Sequence, residues 1–198
     1  MNLTKKQRAA LIGMILGDGY LQSTGAHNAR LRLEHQALHK EYLVWKVKLL
    51  PRLFQGKPQI VERIHPLTQK TYRYVRQQSN ASPILGKLRK LFYPKGKKRM
   101  PEKLNGLLRD DIALAIWFYD DGYYYPRDKC SYLYLGRITR REAEIAQEAI
   151  AKKFGIKGNI LDKRNKGFAL YFPNSENQKI KSIVEKYKVP VMAYKIPL

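Results

Sequence analysis

Two ten-residue stretches decide how this chain folds. The first is Leu11-Ile12-Gly13-Met14-Ile15-Leu16-Gly17-Asp18-Gly19-Tyr20. The second is Leu114-Ala115-Ile116-Trp117-Phe118-Tyr119-Asp120-Asp121-Gly122-Tyr123. Each is an apolar helical run that ends on Asp-Gly-Tyr. The helix dipole disfavours negative charge at a C-terminus, so a carboxylate there asks for another explanation. Gly19 and Gly122 are expected at left-handed positions just past their helices. Glycine inside a helix costs about 1 kcal/mol relative to alanine. Gly13 and Gly17, four apart, therefore mark a face where another backbone comes close. Ala113 and Ala115 are the small residues of the second run. If the two helices pack together, Asp18 and Asp121 meet at their ends. Two unneutralised carboxylates repel, and hard divalent cations with oxygen ligands relieve that repulsion.

Working outward, helix starts are well marked. Thr4-Lys5-Lys6-Gln7 and Thr139-Arg140-Arg141-Glu142 are capping boxes, and Ser175–Gln178 reads as a third. Ser82-Pro83 opens a helix to about Phe92. Asp110 or Asp111 caps the run Ile112–Tyr119. A further helix is expected over Leu38–Leu53, with Leu43, Val47 and Leu50 on its apolar side and Lys46 and Lys48 elsewhere. Alternating segments between the helices read as strands: Tyr20–Ser23, Arg30–Glu34, Gln59–His65, Thr71–Gln78, Tyr123–Tyr125, Ser131–Leu135, Ile156–Lys163 and Phe168–Phe172. The order is helix, two strands, helix, two strands, helix, and then the same again. This predicts an α+β fold of two pseudo-symmetric αββαββα halves, residues 1–105 and 106–198, each with a twisted antiparallel sheet, in one compact unit. Each half also closes alike, with Pro94 before Lys97-Lys98-Arg99-Met100-Pro101 and Pro190 before Tyr194-Lys195-Ile196-Pro197.

Composition narrows the function. The 198 residues carry 39 Lys+Arg and 16 Asp+Glu, a formal net charge of +23. That is the electrostatic footprint of a nucleic-acid binder. Residues 1–100 hold 21 Lys+Arg against 4 Asp+Glu, net +17, and residues 101–198 hold 18 against 12, net +6. A hydrophobic fraction of 44% argues for a folded chain. No apolar stretch is long enough to span a membrane. Met1–Arg8 does not lead into a secretory signal, so an intracellular, unsecreted protein is expected, its compartment open. One cysteine, Cys130, excludes an internal disulfide and any multi-cysteine zinc site. The four histidines show no metal-ligand spacing and read as surface or core residues.

Leu11–Gly19 and Leu114–Gly122 resemble the two nine-residue signatures of the LAGLIDADG homing endonucleases. Trp117–Gly122 is similar to the Trp-Phe-X-Asp-Asp-Gly form of the monomeric, two-motif, intron-encoded members. The sequence departs from the signature at Ile116, where a small residue is usual, and at Asp120, which replaces Gly or Ala. The resemblance implies that the two signature helices form the central interface. It implies that Asp18 and Asp121 are catalytic and bind divalent metal, with the main-chain carbonyls of Gly17 and Asp120 completing the coordination. Mg²⁺ is the implied ion, Mn²⁺ a substitute, and Ca²⁺ an ion that supports binding without cleavage. A catalytic lysine is implied near each centre, at Lys98 and Lys195, with Lys97 and Arg99 close competitors for Lys98. The implied reaction is hydrolysis of both strands of a long asymmetric DNA target, leaving short 3′ overhangs.

The same resemblance places each sheet in the major groove of duplex DNA. If Leu31 and Leu33 face the core, Arg30, Arg32, Glu34 and Gln36 face the DNA. On the next strand Tyr72, Tyr74, Arg76 and Gln78 are the expected binding positions, but Arg73 and Gln77 break the alternation and leave its phase open. In the second half the positions are Tyr132, Tyr134 and Arg137. Arginine holds guanine bidentately and glutamine holds adenine. The remaining lysines contact phosphate and set register. Two other readings share the charge. One is an RNA maturase, with intron RNA as partner, or a non-cleaving DNA-binding protein on this scaffold. The other is a basic RNA-binding protein such as a ribosomal component, which leaves the repeated Asp-Gly ends unexplained. Two motifs in one chain make a monomer the expected state.

Overall fold

A computed structural model describes residues 2–198. The first half runs α1 (Lys5–Leu16), β1 (Tyr20–Ser23), β2 (Ala29–Gln36), α2 (Lys40–Leu49), β3 (Gln59–Ile64), β4 (Thr71–Gln78), α3 (Pro83–Phe92). A short helix, α4 (Leu104–Leu107), links it to the second half. That half runs α5 (Asp111–Asp121), β5 (Gly122–Tyr125), β6 (Cys130–Gly136), α6 (Arg140–Phe154), β7 (Asn159–Asp162), β8 (Phe168–Phe172), α7 (Asn174–Val184). The two four-stranded antiparallel sheets repeat one topology, β1-β2-β4-β3 and β5-β6-β8-β7. No helix among the described residues is long and apolar enough to cross a membrane.

The capping logic holds at most starts. Thr4 and Thr139 form complete capping boxes, Ser82 caps α3 ahead of Pro83, and Asp110 accepts from the Ile112 amide. Ser175 does not cap α7. That helix begins at Asn174, two residues before the Glu176 start that a Ser175 cap implies, behind Pro173 and with no side-chain cap. The expected Leu38–Leu53 helix is shorter, Lys40–Leu49, because a 3₁₀ turn at Ala37–His39 precedes it and Pro51 follows it. The strand expected from Ile156 begins at Asn159, since Ile156 is buried against the core as part of the approach loop.

The centre of the molecule is α1 packed on α5. Ala9–Leu16 and Ile112–Tyr119 are buried on every side. A Cβ on Gly13 would sit 2.5 Å from the Ala113 carbonyl oxygen. Glycine is required there because the two backbones touch. Gly19 and Gly122 serve a different purpose from the one expected. Neither has a positive φ; Gly122 is extended at φ −83. Their hydrogens lie against the Met14 and Phe118 carbonyls, where any Cβ would collide. Glycine is needed for room to turn tightly off the helix end, not for handedness.

Gly13→Ala pushes α1 off α5 and is expected to destabilise the fold by about 1–3 kcal/mol, the usual range for an overpacked core. Urea denaturation measures it, and a change below about 0.5 kcal/mol, within surface-substitution scatter, would contradict backbone contact at this point.

Candidate nuclease centre and nucleic-acid interface

The tight turn after each central helix leaves Asp18 and Asp121 at the neighbouring ends of the packed helices α1 and α5. Two cavities flank the helix ends. One is lined by Asp121, Gly17 and Lys98, with Leu135 and Arg137 in its wall. The other is lined by Asp18, Asp120 and Lys195, with His35 and Tyr194. Each cavity thus joins one helix's terminal carboxylate to the end of the other helix and to one lysine.

The lysines act as matched caps. Lys98 Nζ donates to the Leu16 and Gly17 carbonyls at 3.0 and 2.6 Å. Lys195 Nζ donates to the Tyr119 and Asp120 carbonyls at 2.7 and 2.8 Å. Positive charge at a helix C-terminus is favourable. Of the three candidates in the first half, Lys98 alone reaches the centre. Lys97 is exposed, and Arg99 turns away to Glu142 Oε2 at 3.0 Å. Burial draws the pKa of both Lys98 and Lys195 below the usual lysine value.

The acids divide into one that is satisfied and two that are not. Asp120 is sealed in the interior. Its carboxylate accepts from Lys46 Nζ at 2.5 and 2.7 Å, from the Tyr42 hydroxyl at 2.8 Å and from the Asp18 amide at 3.0 Å. Burial alone would raise its pKa, but Lys46 and these donors outweigh it and hold Asp120 ionised. A Cβ on Gly17 would overlap the Asp120 carboxylate, so this interlock explains the glycine at position 17. Asp121 is half-buried and accepts no hydrogen bond among the described residues. Burial, then repulsion from Asp120 and Asp18, pushes its pKa up to about 8. Asp18 is also raised, by burial and then by Asp120. Two oxygen-donor groups with frustrated charge, beside carbonyls at the helix ends, form a donor set that suits a hard divalent cation. The Asp120 carboxylate is already occupied, so what Asp120 has left to offer a cation is the second lone pair of its main-chain oxygen, whose first accepts from Lys195.

Three residues at this centre were not singled out from the sequence. Lys46, expected away from the apolar side of its helix, is fully buried. Tyr42 and His35 join it. Lys46 Nζ lies 3.2 Å from His35 Nε2, and His35 Nδ1 lies 3.6 Å from Asp18 Oδ2. Asp18, His35 and Asp120 bring ligand atoms within 4.8 Å of one another. Burial and the neighbouring Lys46 lower the His35 pKa to about 3, so the ring is neutral. The alternation of β2 put His35 on the core side with Leu31 and Leu33, and that was its only clue.

The outer sheet faces flank this centre. Register pairs Arg32 with Gln78, Glu34 with Arg76 and Gln36 with Tyr74, and leaves Leu33 with Gln77 and His35 with Val75 beneath. The phase of β4 is therefore resolved: Tyr72, Tyr74, Arg76 and Gln78 face outward with Arg30, Arg32, Glu34 and Gln36. Arg63 and Gln22 join them from β3 and β1. The side chains are already ordered against one another. Arg76 Nε and Arg63 Nη2 each bond Glu34 at 2.6 Å, and Arg30 donates to Gln78 at 3.1 Å. The second face differs in chemistry. Tyr123, Tyr125, Tyr132, Tyr134 and Tyr171 form a plate with ring centroids 4.5–6.1 Å apart. Arg137 lies past a bulge between Tyr134 and Gly136. It is outside the sheet alternation and bonds the Asn165 carbonyl at 3.0 Å.

Comparison with known proteins accords with this geometry. Residues 8–180 match the profile of the LAGLIDADG DNA endonuclease family. A probable intron-encoded endonuclease 1 of Wickerhamomyces canadensis is 28% identical over 98% of this chain and 85% of its own length. The solved structure of the homing endonuclease I-WcaI bound to its DNA recognition sequence superposes with a TM-score of 0.89 at 27% identity, covering 99% of this chain and 88% of that one. I-DmoI in complex with DNA and Mn shares the fold at a TM-score of 0.55 and 14% identity, over 93% of this chain and 99% of that one.

Two measurements probe the centre's electrostatics. Lys46→Met strands the buried Asp120 charge and is expected to cost about 3–5 kcal/mol. Adding Asp120→Ala is expected to recover most of that, and additive losses in the double variant would contradict the pairing. The second measurement concerns Asp121, whose folded pKa lies above its unfolded value. Its contribution to stability is present below about pH 4, near the unfolded pKa, and is lost as pH rises through about 8. In chelator, Asp121→Asn is expected to gain Tm relative to the parent as pH goes from 5 to 9. A difference that does not change with pH would contradict the raised pKa.

Proposed function

The chain belongs to the LAGLIDADG DNA endonuclease family, and on that premise we propose that it is a homing endonuclease making a double-strand break in a long, asymmetric DNA site. The observation that carries this reading is the pair of cavities. Each combines one unsatisfied carboxylate, one helix-end carbonyl and one lysine bonded to that helix end. Two such centres, one per strand, suit a chain that acts as a monomer.

A divalent cation, Mg²⁺ by preference with Mn²⁺ able to substitute, supplies charge neutralisation and an activated water when bound. Asp18 and Asp121 would hold it, with the carbonyls of Gly17 and Asp120 as further oxygen donors. Lys98 and Lys195, already aimed at those carbonyls, keep positive charge beside the scissile phosphate and stabilise the charge that develops on it. Asp120, Lys46 and Tyr42 keep the end of α5 rigid, so the carboxylates stay in place as the DNA is seated. The arginine–glutamine face and the tyrosine plate read the major groove of the two half-sites by different chemistry. Their surplus of charge in the first half supports an asymmetric target. Hydrolysis across the minor groove would leave short 3′ overhangs.

The test is incubation of the purified protein with a library of duplexes in Mg²⁺, followed by sequencing of cut ends. Cleavage at one asymmetric site is expected. Asp18→Asn and Asp121→Asn are each expected to abolish double-strand cutting, by at least about a hundredfold, while retaining binding in Ca²⁺. Full cutting by either variant would refute the metal assignment. Tight RNA binding with no cleavage of any duplex would favour a maturase instead.

A further inference from the structure

The two cleavage centres are not copies of each other. Strand β2 superposes on β6, and α2 on α6, at an offset of 100, because Arg32 and Tyr132 pair with Tyr20 and Tyr123, and because the two helices begin at Lys40 and Arg140. At that offset His35 corresponds to Leu135, the residue at the β6 bulge between Tyr134 and Gly136, and Lys46 to Ala146. At the helix ends the offset is 103, and Asp120 corresponds to Gly17. The Asp120–Lys46–His35 assembly therefore lies behind the Asp18 centre, with Gly17, Ala146 and Leu135 in the matching places behind the Asp121 centre; the counterpart of Tyr42 is Glu142, which accepts from Arg99 and the Met100 amide. Leu135 indeed lines the Asp121 cavity as His35 lines the Asp18 cavity.

The hydrogens of that assembly can be assigned. Lys46 has three N–H donors. They meet three acceptors: Asp120 Oδ1 at 2.5 Å, Asp120 Oδ2 at 2.7 Å and His35 Nε2 at 3.2 Å. His35 Nε2 must then carry a lone pair, and the ring hydrogen sits on Nδ1. Nδ1 faces Asp18 Oδ2 across 3.6 Å, and the Asp18 side chain is 47% exposed and free to turn toward it. A ring nitrogen that bears hydrogen is a donor to a carboxylate and not a metal ligand.

We propose that His35 is a positioning residue for the Asp18 centre alone, its Nδ1–H orienting the Asp18 carboxylate, so that the two DNA strands are cut at unequal rates and in a fixed order. The inference rests on the two-centre reading proposed above and deepens it. Partners that orient metal-binding side chains are commonly worth 10–100-fold in affinity or activity.

The experiment is single-turnover cleavage of a duplex whose strands carry separate labels, with Asp18→Asn identifying the strand served by that centre. His35→Leu, which installs the mirror residue, is expected to slow that strand by about tenfold or more. The other strand keeps its rate, so the strand served by Asp18 loses the lead it has in the wild type. His35→Asn, whose amide reaches the place of Nδ1, is expected to restore more of the rate than His35→Gln, whose amide reaches the place of Nε2. That comparison carries the test should the leucine variant not fold. In the wild-type complex with DNA and Mn²⁺, pulsed electron paramagnetic resonance is expected to find no directly bound imidazole nitrogen. Equal slowing of both strands, equal rates for the Asn and Gln variants, or a directly coordinated nitrogen would each overturn the proposal. If Asp18→Asn shows no strand preference, the two-centre reading itself fails, and the inference falls with it.

Discussion

The contact of α1 with α5 at backbone distance is the constraint on which the rest of this molecule depends. Helices that touch through Gly13 and Ala113 end side by side, and only then do Asp18 and Asp121 share one place. The cost is electrostatic. Three carboxylates, 18, 120 and 121, converge at helix C-termini where negative charge is least welcome. The fold meets this unevenly. Asp120 receives a buried lysine, a tyrosine hydroxyl and a backbone amide. Lys98 and Lys195 cap the helix-end carbonyls. Asp18 and Asp121 are left with raised pKa values and free oxygens. Groups left in that state, among groups so carefully paired, are the ones to which we assign the proposed chemistry.

Much of this was legible in the sequence, for physical reasons that differ from element to element. Capping boxes at Thr4 and Thr139 are local, so α1 and α6 begin where they read. Thr71–Gln78 and Phe168–Phe172 are bounded by turn residues and match the observed β4 and β8. The two signature helices combine apolar runs with paired glycines and acids, which periodicity and charge both reveal. The matched proline segments pointed to Lys98 and Lys195, and both side chains reach the helix ends.

What stayed hidden depends on distant partners. A lysine buried in a helix is unreadable when its counter-charge lies 74 positions away, as Asp120 does from Lys46. Position 46 followed the rule that lysines are solvated, and the ion pair overrode it. His35 read only as a surface or core histidine; the structure buries it and brings its ring to 3.6 Å from Asp18, a contact between residues 17 positions apart that periodicity does not encode. The glycines after each helix were read for handedness, whereas they make room beside a carbonyl. Ser175 does not act as a cap because α7 starts behind Pro173, two residues sooner than that cap implies. In each case a local rule gave way to a tertiary contact.

The two halves share a topology and diverge in surface and in support. One face presents prearranged arginine, glutamine and glutamate, the other a tyrosine plate; one carboxylate has a polar assembly behind it and the other a leucine. The duplicated scaffold keeps its helix–helix seam and sheet topology and differs in the outer faces and in what backs each carboxylate. The central claim is that metal is held between the ends of α1 and α5. Anomalous scattering from Mn²⁺ in crystals of the protein with its cleaved duplex tests it most directly. The account predicts peaks within coordinating reach of Asp18 and of Asp121, at about 2.0–2.3 Å from oxygen as for other hard divalent ions. Manganese on the Asp120 carboxylate in place of Lys46, or its absence from both helix ends, would contradict it.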